Sequence, residues 1–281
     1  MATVLKGAEV TAALNANLKT EVEILKQRGI HPTLGIIRVG ERPDDLSYEK
    51  GACKRAETIG VAVKKILLPE DASQEELLEV VERVNQDDQI HGVLLFRPLP
   101  KQMDDEIIRA ALSPEKDIDG ITDGSLMGVF ADTQKGFPPC TAEACIQILN
   151  HFGIDPKGKK AVVLGRSLVI GKPVAMMLLK KNATVTICHT RTAEIPAECR
   201  EADILIAAAG RAGVISSEFV KPGQVIIDVG INFVDGKLKG DVDFDVVEPI
   251  VEAVTPVPGG VGTVTTSVLI GHVIEAAKRT I

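Results

Sequence analysis

The chain has 281 residues, 45% of them apolar and 25% charged, with a net charge of −7 at pH 7. That acidity, with no basic tract, excludes nonspecific binding to nucleic acid. No segment reaches the roughly 20 uninterrupted apolar residues of a membrane helix, so neither a nucleic acid nor a membrane is an expected partner. The opening Met-Ala-Thr-Val-Leu-Lys-Gly lacks the apolar stretch of a signal peptide. The five cysteines form no C-x-x-C pair, which is the usage of free thiols in a reducing compartment. A cytoplasmic protein is expected.

The first third alternates helical and extended patterns. A helix is predicted near Glu9–Arg28, ended by Gly29, and a strand at Thr33–Val39. A helix over Leu46–Ile59 ends at Gly60, and Val61–Leu67 is a strand. Ser73 and Glu76 fit a capping box that opens a helix over Ser73–Asn85. His91–Phe96 reads as a buried strand stopped by Pro98 and Pro100. Strands separated by helices of this size form parallel crossover units. From Asp117 to Pro139 the pattern loosens into a linker or active-site loop, followed by a helix at Thr141–Phe152.

A second alternating block starts at Lys159, with strands Ala161–Leu164, Thr184–Cys188, Ile204–Ala208 and Val225–Val229. From Thr255 a Gly/Pro loop leads into an amphipathic helix, expected to return to the first domain. The fold class is therefore α/β with two domains of parallel strands and crossover helices, the second a Rossmann-type nucleotide-binding domain. Residues 1–139 with 258–281 are assigned to the first domain and 140–257 to the second.

The first strand of the second block runs into Gly165-Arg166-Ser167-Leu-Val-Ile-Gly171-Lys-Pro173, with a helical segment from Val174. A strand, a glycine-bounded turn and a helix amino terminus make a phosphate site, because the first helical N–H groups are unpaired and the dipole is positive there. The second strand ends in Cys188-His189-Thr190-Arg191-Thr192. An NAD enzyme usually carries an acid at that place for the ribose 2′-hydroxyl. Here no acid occurs before Glu194, and Arg166 and Arg191 could each meet a 2′-phosphate. NADP is the expected cofactor, with NAD as the alternative. The histidines are scattered, with no metal-ligand spacing, and no metal is expected. Gly165-Arg-Ser167-Leu-Val lacks the second glycine of a nucleophile elbow.

Seven segments, in order and spanning nearly the whole chain, together resemble the methylenetetrahydrofolate dehydrogenase/cyclohydrolase family. They are Val39-Gly40 through Ser47-Tyr48, Pro98-Leu-Pro100, Pro114-Glu-Lys-Asp-Ile-Asp119-Gly120, Pro139-Cys-Thr141, the Gly165–Pro173 loop, Asp228-Val-Gly-Ile-Asn232, and Thr255-Pro-Val-Pro-Gly-Gly-Val-Gly262. The resemblance implies a homodimer that binds its folate substrate in a cleft between the two domains. It also implies reversible oxidation of methylenetetrahydrofolate to methenyltetrahydrofolate, with hydride passing to a nicotinamide. Carried over by position, it implies catalytic and folate-binding roles for Tyr48 and Asp119 and a folate-facing loop of Pro258, Gly259 and Gly260. Gly165, Arg166, Ser167, Thr190 and Ile231 are implied to line the nucleotide site, joined by Arg191 from the strand-end reading.

Three positions depart from the family pattern. Bifunctional members carry a lysine four residues after the tyrosine, and here that residue is Ala52. On a helix Lys50 lies about 160° from Tyr48 and Lys54 about 120° away, so neither shares its face. A glutamine that hydrogen-bonds that lysine is replaced by Phe96. Losing both partners avoids a buried unpaired group, but it removes the polar pair that manages water and its proton. Hydride transfer needs mainly alignment, whereas hydrolysis needs acid–base work. The expectation is a dehydrogenase with weak or absent cyclohydrolase activity, with a separate cyclohydrolase as its pathway partner. Full bifunctionality and a non-catalytic folate- or nucleotide-binding protein are the alternatives. Thr263 replaces a usual proline.

Overall fold

The computed structural model describes residues 1–280. The chain forms two compact units, Met1–Ala12 with Thr141–Thr265, and Ala13–Cys140 with the chain from Thr266 on. The boundaries fall inside the helices Gly7–Gln27 and Val261–Lys278.

In the unit of Ala13–Cys140, three parallel strands stand in the order Ala62–Leu68, Thr33–Val39, Gly92–Leu95. The central strand is buried from Leu34 onward, while the edge strand alternates between half-buried and exposed residues. Helix Gln74–Gln86 turns Leu77, Val80, Val81 and Val84 onto this sheet against Ile37, Val93 and Leu95. Its capping box is formed, with the Ser73 hydroxyl accepting from Glu76 N–H and Glu76 accepting from Ser73 N–H. Helix Pro43–Ile59 closes on Gly60, whose φ of 96° is left-handed, as the glycine there requires.

The loose stretch from Asp117 to Pro139 contains a helix, Asp123–Ala131, capped by the Thr122 hydroxyl. Its short length and internal glycines hide the helical period. The carboxyl-terminal helix, expected to be amphipathic, is instead buried on nearly every face, from Val264 and Val268 through Leu269, Ile270, Val273 and Ile274 to Ala277.

The other unit holds a six-stranded parallel sheet in the order Thr3–Val4, Ala253–Val254, Val225–Asp228, Ile204–Ala207, Lys160–Leu164, Thr184–Cys188. The four strands read from the sequence are adjacent. Thr3–Val4, which the sequence division gave to the first domain, instead pairs with Ala253–Val254 at the sheet edge. Two-residue strands carry no period, so nothing in the sequence marked either. The first strand of the block, Lys160–Leu164, has the second on one side and the third on the other. The switch point, where a doubly wound sheet receives its ligand, therefore lies between Lys160–Leu164 and Ile204–Ala207. A hairpin, Asn232–Val234 with Lys237–Lys239, turns at Asp235 and Gly236, both at positive φ.

Candidate active site

Tyr48 is half-buried on helix Pro43–Ile59, whose buried face consists of Asp45, Glu49, Ala52, Ala56 and Ile59. One turn on, Ala52 has no exposed surface. Phe96, just past the strand Gly92–Leu95, presents its ring edge-on to Tyr48, with centroids 6.0 Å apart and planes at 83°. Two of the three residues that depart from the family pattern, Ala52 and Phe96, thus set an apolar wall beside the tyrosine. Lys50 and Lys54 are exposed. Sequence reasoning missed the ion cluster under this helix. Glu49 accepts from Arg38 Nε at 2.9 Å and pairs with Lys65 Nζ at 2.6 Å. Burial pushes the Glu49 carboxyl up, but the hydrogen bonds from Lys65 and Arg38 outweigh it and hold it below its usual range.

Asp119 lies in a turn built by its neighbour. Asp117 is fully buried and accepts from Ile121 N–H at 3.0 Å and Thr122 N–H at 2.7 Å. Gly120 has φ +67°, and a Cβ there would lie 2.5 Å from Pro139 N, so the turn packs on Pro139 with no room for a side chain. Burial pushes the Asp119 carboxyl up to about 6, with a hydrogen bond from Cys140 opposing, the Asp117 charge adding, and Arg97 opposing. The carbonyl just before it, on Ile118, accepts from the Cys140 thiol at 3.2 Å and from His272 Nδ1 at 2.8 Å. Burial holds the His272 pKa down at about 4, so the ring is neutral with its proton on Nδ1. No spacing rule connects residue 272 to residue 118, so only the fold reveals this partner.

In the other unit, Gly165 ends its strand at φ +134°, and a Cβ on it would meet the Ala208 carbonyl oxygen at 2.2 Å. Ala208 follows the strand Ile204–Ala207, so this backbone contact sits at the switch point. Gly171 opens helix Gly171–Lys180, and its Cβ would lie 2.3 Å from Gly165 O. The loop thus packs on Ala208 at Gly165 and folds on itself at Gly171, a cradle that side chains would fill. Ser167 Oγ accepts from Ile170 N–H at 3.2 Å. Arg166, Ser167, Thr190 and Arg191 are all exposed around this loop and the next strand end. The latter is held by Thr192 Oγ1 accepting from His189 N–H and by His189 Nδ1 accepting from Arg191 N–H. Ile231 is 64% exposed, three residues past the strand Val225–Asp228 and directly before Asn232–Val234.

Pro258, Gly259 and Gly260 belong to this same unit, apart from Tyr48 and Asp119. Gly259 O accepts from Gly7 N–H at 2.8 Å, and Gly260 packs under Pro256 O, where a Cβ would come within 2.4 Å. Thr263 N–H donates to Gly260 O at 3.1 Å, a bond that the usual proline could not make.

Comparison with known proteins bears on both units. Residues 5–119 match the family model of the tetrahydrofolate dehydrogenase/cyclohydrolase catalytic domain, and residues 139–281 match that of its NAD(P)-binding domain. The bifunctional protein FolD of Carboxydothermus hydrogenoformans is 53% identical over 281 residues, covering 99% of this chain and 98% of the relative. That of Clostridioides difficile is 49% identical, covering 98% of this chain and 96% of the relative. The bifunctional FolD structure from Campylobacter jejuni superposes with a TM-score of 0.97 at 36% identity, covering all of both chains. The Trypanosoma brucei FolD, solved with NADP cofactor and inhibitor, superposes at 0.92 and 35% identity over 99% of this chain and 98% of that one. The chain belongs to the tetrahydrofolate dehydrogenase/cyclohydrolase family.

Proposed function

We propose that this family member is an NADP-dependent methylenetetrahydrofolate dehydrogenase with weak or absent cyclohydrolase activity. The observation that carries the reading is the apolar wall at Tyr48, where Ala52 is completely buried and Phe96 packs edge-on. The same helix turns Lys50 and Lys54 to solvent.

In the proposed reaction the methylene carbon between two folate nitrogens loses a hydride, and a nitrogen lone pair fills the vacated orbital to leave the methenyl cation. The nicotinamide supplies the hydride acceptor. The chain's residues bind and align. Asp119 accepts from the two adjacent donors on the pterin edge, a task for the carboxylate form. Tyr48 packs on the folate, as do Pro258, Gly259 and Gly260, whose small residues let backbone approach a ligand. Gly165, Arg166 and Ser167 hold phosphate at the helix amino terminus, and Thr190 and Arg191 meet the ribose with its 2′-phosphate. Ile231 lines the same nucleotide site. A homodimer and a separate cyclohydrolase complete the reading.

Hydrolysis of the methenyl bridge has a different requirement. A water must be placed and its proton removed, and neither Ala52 nor Phe96 can do so. The FolD relatives bear the name bifunctional, which favours the second reading, a bifunctional enzyme that moves the proton with another group. The test mixes purified protein with methylenetetrahydrofolate and NADP⁺, then NAD⁺, recording methenyl absorbance and formyl product together. Methenyl that accumulates and decays only at its uncatalysed rate supports the proposal. Formyl product that keeps pace with NADPH supports the second reading. No reaction with either nucleotide sinks both.

A further inference from the structure

Two buried carboxylates in the nucleotide-binding unit take no part in the scheme above. Asp228 ends the strand Val225–Asp228 and Asp241 follows the hairpin, with exposures of 3% and 0%. Asp228 Oδ1 accepts from Gly230 N–H at 2.9 Å and Asp241 N–H at 3.0 Å, and its Oδ2 accepts from Val242 N–H at 3.0 Å. Its own N–H donates to Thr255 Oγ1 at 2.7 Å. Asp241 Oδ2 accepts from Gly210 N–H at 2.8 Å, and its Oδ1 from Arg211 N–H and Asn232 Nδ2, both at 3.0 Å. The packing leaves no slack. A Cβ on Gly230 would lie 2.4 Å from Asp241 Oδ1, and one on Gly240 would lie 1.9 Å from Asp228 Oδ2.

These bonds converge on one exposed side chain. Ile231 is 64% exposed, yet the residue before it is tied to Asp228 and the residue after it to Asp241. An apolar side chain held out from two buried anchors is presented, not packed. The same pair fixes Gly210 and Arg211, beyond the strand that borders the switch point, and through Thr255 the start of the Pro256–Gly260 loop. We propose that Asp228 and Asp241 are positioning residues for hydride transfer, a two-carboxylate relay that sets Ile231 and the Gly210–Arg211 loop against the nicotinamide. The proposal rests on the reading of Ile231 as a residue of the nucleotide site.

Two full-length variants test it. Asp241→Asn keeps the shape but turns an N–H₂ toward a backbone donor. Asn232→Ala keeps both carboxylates and removes the tie beyond Ile231, together with the bond from Asn232 Nδ2 to Lys239 O at 3.3 Å. In steady-state assays Asp241→Asn is expected to lower kcat by about 10- to 100-fold and Asn232→Ala by about 3- to 10-fold, because small misplacements of reacting groups cost this much. KM for the folate should stay within about threefold, and the deuterium isotope effect from dideuterated methylenetetrahydrofolate should rise as hydride transfer becomes limiting. Variants that melt earlier yet retain wild-type kcat and isotope effect would overturn the proposal, leaving a purely structural pair. A wild-type enzyme that binds NADP but transfers no hydride would contradict the functional reading instead. The relay is then read by calorimetry, where Asp241→Asn should weaken NADP binding about tenfold, and an unchanged affinity overturns it.

Discussion

One turn above Tyr48, Ala52 occupies a place with no exposed surface, and Phe96 covers its neighbour. A lysine introduced at 52 alone would bring an ammonium into a place with no exposed surface, where the carboxylate one turn back on the helix, Glu49, is already paired with Arg38 and Lys65. Ala52→Lys should therefore destabilise the protein by about 2–4 kcal/mol in denaturant titrations, and adding Phe96→Gln should recover part of the loss. If Ala52→Lys is as stable as the parent, the wall is looser than described. Asp119 carries a pH signature. With its carboxyl raised from an ordinary 3.8 to about 6 by burial, the carboxylate form that the proposed pterin contact needs predominates only above that value. The ratio kcat/KM for the folate should rise with pH through about 6 and plateau, since this profile reports the free enzyme. An Asp119→Asn variant should lose the inflection together with most of the activity. At the nucleotide loop, Arg191→Ala should raise KM for NADP⁺ at least about tenfold and leave KM for NAD⁺ nearly unchanged, as expected of a charge-assisted contact to the 2′-phosphate. Equal losses for both nucleotides would remove Arg191 from that role.

At the scale of elements, the glycine-bounded Gly165–Gly171 loop and the carboxyl-terminal helix make separable predictions. Gly165→Ala combines a positive φ with a carbonyl oxygen 2.2 Å away, so NADP affinity should fall more than about tenfold while folate binding persists. His272 links the last helix to the Asp119 turn. Its folded pKa of about 4 lies below the ordinary 6.5, so the unfolded chain binds the proton more readily between these values. The stability tied to the neutral ring is complete above pH 6.5 and is lost as pH falls toward 4, by about 3 kcal/mol. Asp119 and Asp228, both raised to about 6, work in the opposite sense, because the folded state there holds the proton more tightly. His272→Asn keeps a donor for Ile118 O without titrating, so its stability should fall less steeply than wild type between pH 6.5 and 4. Parallel pH curves would show that the ring is solvated.

The elements legible in the sequence were those with enough period or a local chemical signature. Thr33–Val39 and Thr184–Cys188 have the bounds read from their β-branched runs, and Ser73 caps its helix as the spacing with Glu76 implied. Thr3–Val4 and Ala253–Val254 exist only by pairing with each other and with the strand Val225–Asp228, a long-range effect no local pattern carries. The Asp235-Gly236 turn was readable in principle, since Asp-Gly between extended residues signals a hairpin. The glycine-bounded turn between strand and helix at Gly165 and Gly171 was expected from the glycine spacing. The contacts of His272 with Ile118 and of Asp241 with Gly210 and Arg211 were not, because each joins residues far apart in the chain.

For the molecule as a whole, family membership and chemical competence are different statements. The chain matches both domains of its family across nearly its full length, yet one polar pair is exchanged for an alanine and a phenyl ring while the nucleotide loop and Asp119 remain. Hydride transfer rests mainly on alignment and hydrolysis on proton handling, so such an exchange can separate the two reactions. The most direct measurement supplies methenyltetrahydrofolate itself, without nucleotide, at a pH where its spontaneous hydrolysis is slow, and compares its decay with and without the protein. The account predicts the same rate in both, and an enzyme-dependent increase when Ala52→Lys and Phe96→Gln are combined. Hydrolysis by the unaltered protein well above the buffer rate, at catalytic protein concentration, would contradict it.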